Sequence, residues 1–306
     1  FVYSFVISVI IYPVVVRWQW GGGWLYQLDT PFHDFAGSTL VHMTGGVCAF
    51  WGAKILGPRI GKYIDGKPVA IAGHSIPYAV LGVFILLVGW YGFNPGSELA
   101  ADAAIGPIAV TTTMAGSAGA IAAMCMVWIK GGKPDVGMTG NGMLAGLVAI
   151  TAGTAAVTPQ AAIIIGLCAG VLVVWAVHFI ESVLKVDDPV GAVAVHGVCG
   201  AFGTICVGLF ARNDVEGFWS QGLFYGGGTD QLVSQLIGVL SVAAWVSVTS
   251  FILFTVLKHT IGLRVSEEEE LAGLDILEHG HSGYGEGFGT YVPTDAAPVP
   301  STESVS

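Results

Sequence analysis

The stretch DFAGSTLVHMTGG (Asp34–Gly46) returns 154 residues later as DPVGAVAVHGVCG (Asp188–Gly200). Aligned on the aspartate, the copies share a Gly three residues on (Gly37, Gly191) and a Val seven on (Val41, Val195). They also share a His eight on (His42, His196) and a Gly twelve on (Gly46, Gly200). A repeat that twice carries one ionisable residue into an apolar helix points to two half-domains meeting at a shared site.

The surroundings of the repeat are apolar. The 306-residue chain is 54% hydrophobic and 10% charged, with a mean hydropathy of +0.73. Soluble domains carry about 25% charged residues, so the chain reads as an all-α polytopic membrane protein. Eight apolar segments lie near 1–16, 34–53, 75–95, 104–128, 137–156, 159–182, 189–210 and 231–258. A helical span takes about 20 residues, and all but the first segment meet that length. The formal net charge of −10 belongs to the C-terminal stretch, where nine acids and no Lys or Arg follow Val265. There is no basic patch to bind nucleic acid. The five cysteines all fall in apolar stretches without metal or disulfide spacing and read as free, buried thiols.

Lys54, Arg59, Lys62, Lys67, Lys130, Lys133, Lys185, Lys258 and Arg264 occupy alternate loops; only Arg17 and Arg212 lie on the opposite side. The positive-inside rule places the richer loops and the C-terminus in the cytoplasm. The two motif helices then run antiparallel. Asp34 and Asp188 read as helix-start acids that cap free N–H groups, with Pro189 at the first helical position. Each His, eight residues deeper, lies about 12 Å along its helix, near the middle of a hydrocarbon core about 30 Å thick.

The repeat also predicts the helix count. The second motif closes a block of five segments and the first closes a block of two. The expected complete architecture is therefore two inverted five-helix repeats plus a long eleventh helix, with three helices upstream of residue 1. The expected divisions are 1–60, the remainder of the first repeat; 61–212, the second repeat; and 213–261, an external loop and the final helix. A cytoplasmic regulatory segment follows at 262–285, then a disordered tail at 286–306.

These motifs, with WGGGWL (Trp20–Leu25), GWYGFNPGS (Gly89–Ser97), NGMLAGLVAITAG (Asn141–Gly153) and GLRVSEEEELAGLD (Gly262–Asp275), occur in the order of a known family. From the first segment to about Gly285 the chain resembles the ammonium transporter (ammonium channel, methylammonium permease and Rhesus) family. That resemblance implies a homotrimer in the plasma membrane with one narrow pore per subunit. Its substrates would be ammonium or ammonia, and methylammonium as a related one. His42 and His196 resemble the twin pore histidines, Trp20 and Ser97 the external recruitment site, and Phe93 and Trp90 a gate ring and a pore-wall aromatic. Asp34 resembles the buried acid near the recruitment site. A second gate phenylalanine and another recruitment aromatic would lie on the upstream helices. In prokaryotic relatives a PII-type signal protein closes the pore from the cytoplasmic side.

Each residue also has a plainer reading. Trp20 suits an interfacial aromatic belt with Trp18, Trp24 and Tyr26, and Phe93 suits core packing. His178, without a repeat partner, reads as structural or interfacial. His279 and His281 read as exposed. Two facing histidines can also ligate haem for electron transfer, and the same fold can serve as an ammonium sensor. The sequence carries no nucleophile–base pair or metal-ligand set, so neither catalysis nor a cofactor is expected.

Overall fold

The computed structural model describes residues 1–215, 220–281 and 283. The tail expected over 286–306 lies outside the described residues. The helices are α1 (Val2–Trp18), α2 (π-helical Ser38–Met43 continued by Thr44–Leu56), α3 (Ile76–Phe93), α4 (Ile105–Gly131) and α5 (Val136–Ile150). They continue as α6 (Pro159–Ser182), α7 (Val193–Phe210, whose first six residues are π-helical) and α8 (Asp230–Thr260). A two-residue hairpin, Tyr63–Ile64 with Lys67–Pro68, follows α2. The protein is all-α in its spans. Five of these helices, α3, α4, α6, α7 and α8, are long and apolar enough to cross a membrane.

One compact unit comprises Phe1–Ile71 and Ile76–Arg264. Within it, α4, α5 and α6 pack through small residues. A Cβ placed on Gly119 would lie 2.3 Å from the Gly142 carbonyl, and one on Gly146 would lie 2.2 Å from the Ala115 carbonyl. Helix backbones that approach this closely are typical of helices associating in lipid. A second buried cluster joins α1, α2 and α8 through Ile11, Leu40, Val242 and Phe254. The other unit holds Ala72–Ser75 and the described residues from Val265 onward. There Ser266 starts a short helix, Glu267–Ala272, with a reciprocal capping box to Glu269.

The structure corrects the expected lengths. Seven segments were expected to be long enough to span, whereas α5 stops at Ile150 and residues 151–157 turn without continuing the helix. The reason lies in the first motif. The Phe35 and Ala36 N–H groups donate to the Ala152 and Thr151 carbonyls, and the Ala152 N–H donates to Ser38 Oγ. These groups are taken by the loop that starts α2 and cannot serve a longer helix. The cysteines are free, but only Cys48, Cys199 and Cys206 are buried. Cys125 and Cys168 lie on outward faces of α4 and α6, because hydropathy cannot separate a lipid-facing position from a packed one.

The crossing of α2 and α7 explains the repeat. Thr39 Oγ1 donates to Thr204 Oγ1 at 2.6 Å, Gly200 packs on Met43, and Gly46 packs on Gly197. Numbers rise along one helix as they fall along the other, so the helices run antiparallel. A Cβ on Gly46 would lie 2.1 Å from the Gly197 nitrogen, and one on Gly200 would lie 2.4 Å from the Ser38 carbonyl oxygen. Gly37 and Gly191 adopt positive φ, +116° and +73°, conformations that glycine takes without steric cost. Two of the five shared positions, the glycines, thus have a geometric reason at the turn and the crossing.

Gly46→Ala is expected to destabilise the protein by about 3 kcal/mol, because its methyl group meets rigid backbone. Gly45→Ala, with open space at that side, should leave stability unchanged or raise it by up to about 1 kcal/mol. Thermal unfolding of both variants in detergent separates the two, and equal midpoints would contradict the crossing.

Candidate functional site: the paired histidines

The site begins with a buried carboxylate. Asp34 is wholly buried, and its two oxygens accept four backbone N–H groups. Gly37 and Ser38 bond Oδ1 at 3.0 and 2.8 Å; Thr39 and Leu40 bond Oδ2, each at 2.8 Å. The expectation that this aspartate stands at the helix start needs correction. α2 begins at Ser38, and Asp34 reaches forward across the Gly37 turn to satisfy the first amides of the helix. Likewise Asp188 precedes a turn through Gly191, and α7 begins after it, so Pro189 is not in its first turn. Asp188 Oδ2 accepts from Val193 at 2.9 Å and Ala194 at 3.4 Å. Each histidine therefore sits one turn into its helix, in a π-helical segment. Single π-turns occur often at functional sites, where they redirect side chains.

His42 Nδ1 and His196 Nδ1 are 3.2 Å apart, within hydrogen-bond reach. Their rings are nearly parallel, with an interplanar angle of 20° and centroids 5.2 Å apart. Trp90 stacks on His42 at 5.2 Å and 17°, and Phe93 approaches at 5.3 Å. His42 Nε2 is buried and has no hydrogen-bond partner among the described residues. Of the expected site residues, the structure thus brings four together: His42, His196, Trp90 and Phe93. Trp20, 40% exposed, is placed instead at the motif start, where its indole N–H donates to the Asp34 carbonyl at 2.8 Å. Ser97 lies one turn beyond Phe93 and donates to its carbonyl at 2.5 Å. That bond uses the hydroxyl proton and leaves oxygen lone pairs outward.

Several positioning contacts escape a reading of the sequence. Trp90, the one buried residue of α3, donates its indole N–H to Thr151 Oγ1 at 3.1 Å. Ser38 Oγ donates to the Val148 carbonyl at 2.7 Å. Gln235, buried in α8, accepts from the His33 N–H and donates to the His33 and Thr204 carbonyls. One amide therefore ties the loop before the first motif to the helix of the second. The available signal was a Gln pair four apart, Gln231 and Gln235, in an otherwise apolar helix. His178 is exposed and bonds Ser182 within its own helix, as its lack of a repeat partner implied.

Two inverted helices that cross on glycine and present paired imidazoles among aromatic rings define an integral membrane protein with an intramembrane polar site. The profile of the Ammonium Transporter Family matches residues 1–284, and the chain belongs to that family. It is 45% identical over 298 residues to the ammonium transporter Amt2 of Archaeoglobus fulgidus, covering 92% of this chain and 63% of that protein. A putative ammonium transporter of Synechocystis sp. is 44% identical, with 93% and 62% covered. The chain thus spans somewhat less than two thirds of these relatives. Among solved structures, one named "Sensor Amt Protein" superposes with a TM-score of 0.83 at 41% identity, covering 89% of this chain and 68% of its own. Candida albicans Mep2 gives 0.80 at 30% identity, covering 88% and 60%.

Removing the Asp34 carboxylate leaves four buried amides unpaired, each costing about 1–3 kcal/mol before relaxation. Asp34→Ala should therefore destabilise by at least about 3 kcal/mol, and Asp188→Ala, whose bond to Ala194 is stretched to 3.4 Å, by less. Unfolding midpoints of the two variants give the ranking, and the reverse order would refute this account of the caps.

Proposed function

We propose that the protein transports ammonium across a membrane, by recruiting the cation and conducting neutral ammonia past His42 and His196. The observation that carries this reading is the direct Nδ1–Nδ1 contact with a buried, unpartnered Nε2 on His42. When two neutral imidazoles share a proton between their Nδ1 atoms, the donor ring has a bare Nε2 and the acceptor ring an Nε2–H. The pair then offers one acceptor and one donor to a small molecule that can use both, such as ammonia. A bare cation in an apolar passage is expensive. Potassium cannot shed its charge and ammonium can, so such a passage discriminates by deprotonation.

In this reading Trp20 contributes a ring face for cation–π contact and Ser97 its outward lone pairs. Asp34 supplies negative charge near the entrance, and Phe93 and Trp90 restrict the passage beside His42. The protein works as a homotrimer in the plasma membrane with its C-terminus in the cytoplasm. Its first two segments belong to one of two inverted five-helix repeats and the next five form the other, and a PII-type protein meets its cytoplasmic face. The homologues named as ammonium transporters support the substrate. The likeness to a sensor protein supports a second reading, in which the same site detects ammonium. Bis-histidine haem does not fit these residues. An iron between two ring nitrogens holds them about 4 Å apart, at about 2 Å per bond, whereas the Nδ1 atoms here are in mutual hydrogen-bond contact.

His42→Ala and His196→Ala are each expected to alter ammonium-dependent current in proteoliposomes. The change should be a loss of conduction, of proton coupling or of potassium exclusion. Wild-type behaviour in all three respects from either variant would refute the mechanism. Currents absent from the wild-type protein despite ammonium binding would favour the sensor.

A further inference from the structure

The two motif helices are held unequally. Asp34 satisfies four amides at the head of α2, each at 3.0 Å or less, whereas the Asp188 bond to Ala194 at the start of α7 is stretched to 3.4 Å. The deficit falls on the helix that carries His196. What stands beside Asp188 is a second acid, Asp187, 5% exposed and bound by one residue three times. Arg59 donates to it from its backbone N–H at 3.0 Å, from Nε at 2.8 Å and from Nη2 at 2.9 Å. Arg59 lies three residues beyond Leu56, where the helix carrying His42 ends.

From this juxtaposition we infer that Arg59 is a positioning residue: its clamp on Asp187 sets the height of His196 against His42. The chain after α2 acts as a strap from the end of one histidine helix to the start of the other. The inference relies on the transport reading above only for its functional readout.

Two further contacts keep the strap taut, and a third, from Lys54, anchors the last turn of α2 beside it. Lys62, 4% exposed, places Nζ 2.7 Å from Glu181 Oε1 near the end of α6. The Tyr63 hydroxyl donates to the Glu181 carbonyl at 3.0 Å, and Lys54 Nζ donates to the Leu184 carbonyl at 3.0 Å. An exposed ion pair in such a place would contribute little. This one is bidentate, its carboxylate is buried, and Arg59 holds the carboxyl below its ordinary pKa although burial pushes it up. Removing the guanidinium leaves a buried charge that must reach water. The adjacent residue, Asp188, is the one holding the first turn of α7, so relief of that charge displaces His196. A displacement of under an ångström is enough to break a 3.2 Å ring contact.

The test reads the ring contact itself. In ¹⁵N-histidine-labelled protein in lipid, a hydrogen bond between His42 and His196 transmits a ¹⁵N–¹⁵N coupling between the two Nδ1 atoms. We expect the coupling in the wild type, its loss in Arg59→Ala and a weakened signal in Arg59→Lys, which keeps the charge but not the fork. Lys130→Ala, whose ammonium lies over Trp175 away from the strap, should keep it in full. Ammonium current should fall about tenfold in Arg59→Ala, the scale seen when a supporting contact of a functional group is lost, and recover partly in Arg59→Lys. If Arg59→Ala does not insert, Arg59→Lys decides: a weakened coupling supports the strap and a wild-type coupling overturns it. An unchanged coupling in Arg59→Ala, or no coupling in the wild type, also overturns it. Coupling that follows these expectations in a protein without ammonium current would sink the transport reading and leave the strap standing.

Discussion

The arrangement depends on one contact between two backbones. Where Gly46 meets the Gly197 backbone the motif helices approach so closely that a methyl group on Gly46 has no room. Contact through backbone has none of the slack of interleaved side chains, so the helix separation at this level has a single value. The ring pair inherits that value. With larger residues at the crossing, the imidazoles would be separated by more than a hydrogen bond can bridge.

Around this crossing the protein manages polar groups mainly with its own amides. Asp34 is satisfied by four N–H groups, Ser38 by a carbonyl and an N–H of the unwound end of α5, and Gln235 by the backbone on both sides of it. A region without water demands such pairing. The ion pairs Arg59–Asp187 and Lys62–Glu181 lie at helix ends, with only Glu181 inside a helix, in the last turn of α6.

What the sequence disclosed was what repeats or follows a period. The duplicated Asp, Gly, His and Gly positions predicted two antiparallel helices and an imidazole pair, and the apolar runs marked eight helical segments. Winding was not legible. Nothing in STLVHM or VAVHGV distinguishes a π-turn from an α-turn, because the choice is made by the tertiary crossing and by acids reaching over a glycine turn. The early end of α5 was hidden for a related reason. NGMLAGLVAITAG has an unbroken apolar pattern, and the groups that interrupt its helix belong to residues more than a hundred positions away. Trp90 was noticed as an aromatic, but its anchor Thr151 was not, since a hydroxyl near the end of an apolar run has no distinctive spacing.

The surroundings of Asp34 have an electrostatic consequence. The groups that satisfy it are all amides, and amides are dipoles. Dipoles lower the energy of a carboxylate without cancelling its monopole. With two N–H groups on each oxygen, the lone pairs are committed and a bound proton would have to displace one of them. An ionised Asp34 therefore keeps a net unit of negative charge, whose potential falls off more slowly with distance than that of any dipole around it. While Asp34 is ionised the head of α2 therefore carries an electric sign that its surrounding dipoles do not cancel.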